Sequence, residues 1–210
     1  VALIERHLMG GDCLNSGCVP SKGIIAAAKA IARVKQAERF GVQLPGEPSI
    51  DFSRAMERMR ELRAGISHHD SAQRFTDLGV DVYLGQGEFV DSNRIQVGDR
   101  ILSVKMAVIA TGARAAQLPI PGIEEVDYLT NETVFSLTEL PHRLGIIGGG
   151  PIGSELAQTF ARFGSCVTLY EKAEHILSRE DPDAALIVQN SLQKNGVNLQ
   201  LNTQVKGLNQ

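Results

Sequence analysis

Two thiols stand close together near the start of the chain. Cys13 and Cys18 lie five positions apart in the run GGDCLNSGCVPSK. Such a pair can cycle between a dithiol and a disulfide. It can equally be a pair of packing residues, two zinc ligands or an inert disulfide. Structural zinc takes about four clustered ligands, and beyond this pair the chain offers Cys166 and scattered histidines. On spacing alone, redox chemistry and the inert readings stand about level. Pro20 suits a first helical turn, so the cysteines fall just before or within a helix start. The positive end of a helix dipole favours a thiolate there. Lys22 is four residues past Cys18 and would share its helix face, where an ammonium could stabilise an anion.

A second group of residues could hold a phosphate. Gly148, Gly150 and Gly153 form G-x-G-x-x-G between an apolar run and a helical one. Glycines there permit a tight turn and close backbone approach to a pyrophosphate, with a helix N-terminus facing the anion. Glu171 follows 23 positions after Gly148, at the end of the next apolar run. A carboxylate there accepts hydrogen bonds from a ribose diol and repels a 2'-phosphate, which favours NADH over NADPH. Lys172 and Arg179 nearby could meet a phosphate instead.

The elements that must position these groups read as alternating strands and helices. Residues 1–4, ending in Glu5, read as a buried parallel strand. Residues 20–40 and 51–78 read as helices stopped by Gly41 and Gly79. A short strand at 80–83 precedes three hairpin-type runs, 87–90, 94–97 and 101–104, joined by Asp91-Ser92-Asn93 and Gly98-Asp99. Residues 106–110 read as a continuous apolar strand ending at Thr111-Gly112. Strands at 144–147, 166–170 and 197–201 alternate with helices at 152–163 and 183–195. The domain boundary is expected near Pro141, giving domains 1–140 and 141–210.

Composition excludes several classes. The chain of 210 residues is 43% hydrophobic and 21% charged, as in an ordinary globular protein, with a net charge of -3. No long basic run suggests nucleic acid or a membrane surface. No apolar stretch reaches the roughly 20 residues that span a bilayer. The opening residues show no signal peptide, and three cysteines are too few for a structural disulfide framework. A cytoplasmic location is expected.

The run from Gly10 to Lys22 closely resembles the active-site motif of the class I pyridine nucleotide-disulfide oxidoreductases, which include dihydrolipoamide dehydrogenase, glutathione reductase and mercuric reductase. Ala110-Thr111-Gly112-Ala113 resembles the family's flavin-contacting turn, and GGGPIGSELA, from Gly148 to Ala157, its nicotinamide loop. The resemblance implies an α/β architecture of two Rossmann-like domains, one for FAD and one for NAD(P), both incomplete here, with a small β-meander in the FAD domain. It implies that Cys18 is the thiolate beside the flavin and that Cys13 exchanges with substrate. Lys22 would sit by the flavin and pair with Glu155. Glu5 would bind the FAD ribose, with Arg6, Gly10, Gly11 and Asp12 following along the cofactor. Gly87 would contact the adenosine, and Thr111, Gly112 and Ala113 the pyrophosphate region. Gly148, Gly149, Gly150, Pro151, Ile152, Gly153, Glu171 and Val205 would line the nicotinamide nucleotide. No resident metal is implied.

The chain departs from the motif in two places: Asp12 stands where many members have Thr, and Ser16 where many have Val. A carboxylate next to Cys13 is expected to raise that thiol's pKa by like-charge repulsion. By the resemblance, a glycine loop lies upstream of Val1, and a dimerisation domain with a His-Glu pair follows Gln210. His7, His68, His69, His142 and His175 are expected at the surface or in packing, and Cys166 in a core. The whole protein is expected to be a homodimer acting on Hg(II) or on a small disulfide or dithiol. Residues 179–182 and the wording around the cysteines look most like the mercuric reductase branch, with dihydrolipoamide dehydrogenase as the close alternative. A nucleotide-binding piece without catalysis is the reading of another class.

Overall fold

The computed structural model describes residues 1–208. The chain divides into two compact units, Val1–Pro20 with Arg60–Arg114, and Ser21–Met59 with Ala115–Gln210.

The first unit is built on two small sheets. Strand β1 (Ala2–Glu5) pairs in parallel with β2 (Asp81–Leu84), Ala2 opposite Asp81 and Glu5 opposite Leu84. Strands β3 (Gly87–Asp91), β4 (Arg94–Val97) and β5 (Arg100–Ser103) form an antiparallel meander in that order. A five-residue helix, α1 (Gly11–Asn15), follows β1, and α2 (Cys18–Lys35) starts at the second cysteine. A single helix was expected over 51–78. The structure breaks it into α3 (Phe52–Ser67), one 3-10 turn, and α4 (Ala72–Asp77). Ser71 is extended (φ -76°, ψ 151°), and its side chain accepts from the Arg74 N–H, so a serine cap restarts the helix. The apolar stretch 106–110 is not a strand. Among the described residues no strand pairs with it, and Met106, Val108 and Ile109 are 84%, 91% and 74% exposed. An apolar run is a strand only where a neighbour completes its backbone hydrogen bonds.

The second unit holds the larger core. Strands β6 (Arg143–Ile147), β7 (Cys166–Tyr170) and β8 (Asn198–Gln200) form a parallel sheet in sequence order. Helix α5 (Pro151–Phe163) joins β6 to β7, and α6 (Pro182–Lys194) joins β7 to β8. Parallel neighbours need such crossovers. Ile24 and Ala28 of α2, Phe52, Met56 and Met59 of α3, and Ala157, Phe160 and Phe163 of α5 pack in one cluster with Val167 and Leu169 of β7. Phe52 meets Phe163 edge-on at 5.2 Å between ring centroids. A Cβ on Gly23 would lie 3.1 Å from Met59 Cγ, so glycine lets α2 approach α3 closely. The helix expected over 20–40 ends at Lys35, and a 3-10 turn over Ala37–Phe40 closes on left-handed Gly41.

Candidate functional site

The cysteine segment belongs to the first unit. Gly10 has φ +95°, and a Cβ there would overlap the side chain of Leu14. This lets Leu14 bury beneath α1 while Cys13 stays exposed beside it. The Asn15 side chain donates to the Met9 and Gly11 carbonyls at 3.1 and 2.9 Å, pinning the chain that leads into the helix. The Arg63 guanidinium donates to the Asn15 carbonyl at 3.2 Å, at the other end of the same short helix. A Cβ on Gly17 would come within 2.8 Å of the Asp12 carbonyl, so the turn between the cysteines needs glycine.

Cys13 and Cys18 are both exposed and in the thiol form. They meet through hydrogen bonds. The Cys13 thiol bonds to that of Cys18, and the Cys18 N–H, at the start of α2, bonds to the Cys13 sulfur. The thiol–thiol bond is the largest influence on Cys13 and raises its pKa, and slight burial and the charges of Cys18 and Asp70 push the same way. The N–H of Cys18 pulls it down. The net direction is upward, so the helix start does not win. The expected cause also changes. The carboxylate acting on Cys13 is that of Asp70, whereas Asp12 Oδ2 accepts from the Ala113 N–H at 3.2 Å.

The other residues assigned to FAD lie in the same unit. Glu5 ends β1, its carboxylate accepting from the His7 N–H at 2.8 Å, and Arg6 beside it is exposed. Gly87 begins β3, where a Cβ would sit 3.2 Å from Ile4. Thr111, Gly112 and Ala113 form an exposed turn with Gly112 at φ +71°. Gly11, at φ +59°, has open space where a Cβ would be. Bare backbone at Gly11, and a carboxylate at the end of β1, suit a dinucleotide's phosphates and ribose.

The glycine loop lies in the second unit. Gly148 takes φ +105°. Nothing approaches within 4 Å of a Cβ on Gly150, whereas one on Gly153 would overlap the Gly148 carbonyl oxygen. The first glycine therefore makes the turn, the second leaves an open face, and the third lets α5 pack onto the loop. Pro151 begins the helix, and exposed Ile152 follows. Glu171 Oε2 accepts from the Gly149 N–H at 2.6 Å, and Oε1 from the Ala173 N–H at 2.9 Å. The bond from Gly149 ties the loop to the end of β7, while the open face at Gly150 fits the close approach of a dinucleotide's phosphates. The Thr203 N–H donates to the Glu171 carbonyl, and half-buried Val205 follows two residues later.

Lys22 also belongs to this unit. Its ammonium donates to both Glu155 oxygens, at 2.8 and 2.9 Å, joining α2 to α5. Sequence reasoning missed Asn15, Arg63 and Asp70. Asn15 lies inside the cysteine run and was open to suspicion there; nothing in the sequence around Arg63 or Asp70 points to the thiols. Of the histidines, His7, His68, His69 and His142 are exposed and His175 is half-buried, its Nδ1 near the Ile176 carbonyl. Cys166 is exposed at the start of β7 rather than in a core. Among the described residues, no group of three or more His, Cys, Asp or Glu could hold a metal ion. No helix among them is long and apolar enough to cross a membrane.

Comparison with known proteins converges on one group. The family model described as pyridine nucleotide-disulphide oxidoreductase matches residues 1–210. A mercuric reductase of Bacillus cereus is 34% identical over 199 residues, covering 95% of this chain and 31% of that protein. A dihydrolipoyl dehydrogenase of Acholeplasma laidlawii is 35% identical over 214 residues, covering 98% and 62%. Among solved structures, the HOCl-induced flavoprotein disulfide reductase RclA of Escherichia coli, also solved as a Cu(II) complex, superposes with a TM-score of 0.83 at 34% identity, covering 99% of this chain and 44% of RclA. The chain thus spans less than two thirds of each of these relatives.

Proposed function

Because this chain belongs to the pyridine nucleotide-disulphide oxidoreductase family, whose members use FAD and NAD(P)H, we propose that the whole protein exchanges electrons with a thiol-reactive acceptor through Cys13 and Cys18. The observation that carries this reading is the placement of two exposed sulfurs on either side of one tight turn, Cys13 in α1 and Cys18 opening α2. FAD, when bound, relays two electrons between the nicotinamide and this pair. Glu5, Arg6, Gly10, Gly11, Asp12, Gly87, Thr111, Gly112 and Ala113 would hold FAD, in a domain reaching to about residue 140. Gly148 to Gly153, Glu171 and Val205 would hold the nicotinamide nucleotide in the domain that follows. Lys22, held by Glu155, would bring its ammonium to the flavin.

With a disulfide acceptor, the Cys13 sulfur attacks one acceptor sulfur and the other leaves as a thiol. The Cys18 sulfur then attacks Cys13, closing the Cys13–Cys18 bond and releasing the second thiol. Two electrons and two protons leave the pair, and the acceptor gains both. The thiol–thiol bond keeps a proton on Cys13, so exchange at Cys13 begins with that proton's removal.

The acceptor we favour is Hg(II), which two thiolates bind strongly as a soft metal ion. The mercuric reductase relatives support it. Dihydrolipoamide is the second reading, favoured by the dihydrolipoyl dehydrogenase match. Glu171 favours NADH. The whole protein is taken to be a cytoplasmic homodimer.

The test is anaerobic treatment of the complete protein with NADH, followed by thiol alkylation and mass measurement. Two newly alkylated cysteines, Cys13 and Cys18, are expected. NADH oxidation dependent on Hg(II) supports the first acceptor. NAD+ reduction by dihydrolipoamide without any response to Hg(II) supports the second. If NADH exposes no thiols, the redox reading fails, and a nucleotide-binding module without catalysis takes its place.

A further inference from the structure

Asp12 is the residue before Cys13, and its side chain does not stay with its own helix. A carboxylate in the first turn normally serves the free N–H groups there. Instead Oδ2 accepts from the N–H of Ala113, 101 residues away in sequence. The turn is shaped to receive it. Gly112 has φ +71°, and a Cβ on Gly112 would come within 2.7 Å of the same oxygen, so the carboxylate lies against bare backbone. The remaining supports of α1 act further along it: Asn15 fixes the lead-in and Arg63 fixes the Asn15 carbonyl. Asp12 thus ties the cysteine-bearing turn to the 111–113 segment.

We propose that Asp12 is a positioning residue that clamps α1 to the 111–113 turn and so holds the Cys13 sulfur where Cys18 can close on it. The proposal rests on the redox reading of the pair. Ring closure between two thiols depends on how often the sulfurs stand in bonding position. A short helix freed at its first turn spends less time there, so the disulfide forms less readily. The contribution lies in reach and hydrogen bonding, so an amide of the same length should replace the carboxylate.

The complete protein is equilibrated anaerobically with mixtures of reduced and oxidised glutathione, then quenched by alkylation. In this reaction the Cys13 and Cys18 thiols form one S–S bond, and one oxidised glutathione takes the two electrons and two protons to become two thiols. Asp12→Ser, too short to reach Ala113, should lower the equilibrium constant for ring closure about tenfold, or about 1.4 kcal/mol. Asp12→Asn should stay within about threefold of wild type, since roughly 0.65 kcal/mol covers the exchange of a charged for a neutral acceptor. Melting temperatures of the same samples separate this from a general loss of folding. Equal constants for wild type and Asp12→Ser overturn the clamp, as does Asp12→Asn falling as far as Asp12→Ser. A wild type that never forms the Cys13–Cys18 disulfide overturns the redox reading, and the clamp with it.

Discussion

The cysteine turn and the glycine loop are held by opposite means. The glycine loop rests on a buried core: α5 carries Ala157, Phe160 and Phe163 into a cluster with α2, α3 and β7, and the loop's shape follows from backbone packing at Gly148 and Gly153. The cysteine turn belongs to a unit whose buried apolar side chains are chiefly Leu14, Pro20 and Val97. Its shape comes from side-chain hydrogen bonds made by Asp12, Asn15 and Arg63. A binding loop of fixed form can be built on packing. A sulfur that must meet partners from outside stays exposed, so directed polar bonds have to place it.

That contrast can be broken by mutation. The largest effect on stability is expected from Phe160→Ala, about 3–5 kcal/mol by chemical denaturation, since its ring is buried against Phe52. Gly153→Ala should cost about 1–3 kcal/mol, because its Cβ meets backbone that cannot move aside. Gly150→Ala should cost under about 1 kcal/mol, since its Cβ points into open space. Gly150→Ala should nevertheless weaken NADH binding at least tenfold by fluorescence titration, if that open face is where the pyrophosphate lies. Equal stability losses at 150 and 153 would remove the packing half of the comparison.

The polar half is tested at the thiols. In the reduced protein, Cys13 should reach half-maximal alkylation rate above the pH of an ordinary thiol, because the Cys18 bond raises its pKa. Its reactive thiolate is therefore scarce at neutral pH and grows as pH rises through the raised value. Cys18→Ala should bring the midpoint down, and Asp70→Asn should bring it down less, following the order of the two influences. A midpoint unmoved by Cys18→Ala would sink this account. The smallest effect is expected at Lys22→Met. An exposed ion pair contributes under about 1 kcal/mol to stability, so its melting curve should barely shift while NADH turnover falls.

What could be read in the sequence follows the same division. The repeating strand–helix unit from Arg143 to Gln200 was legible, since β6 and β7 are short, largely apolar runs and each helix has a proline start and a glycine or asparagine end. The cysteine motif was legible as a string, but its supports were not. Arg63 and Asp70 act on α1 and Cys13 across the fold, and no local pattern marks them. The break at Ser71 was marked by a capping serine that the apolar periodicity of 51–78 hid. Residues 106–110 misled because an apolar run states a preference for burial without naming what would cover it.

That stretch has a practical consequence. Five uncharged residues, Met106 to Ala110, lie outside any strand and present oily side chains with no proline to interrupt them. Such a segment is a template for pairing with a neighbouring copy. Wherever it is left bare, concentrated samples should form β-rich assemblies, and a lysine at Val108 should keep them dispersed.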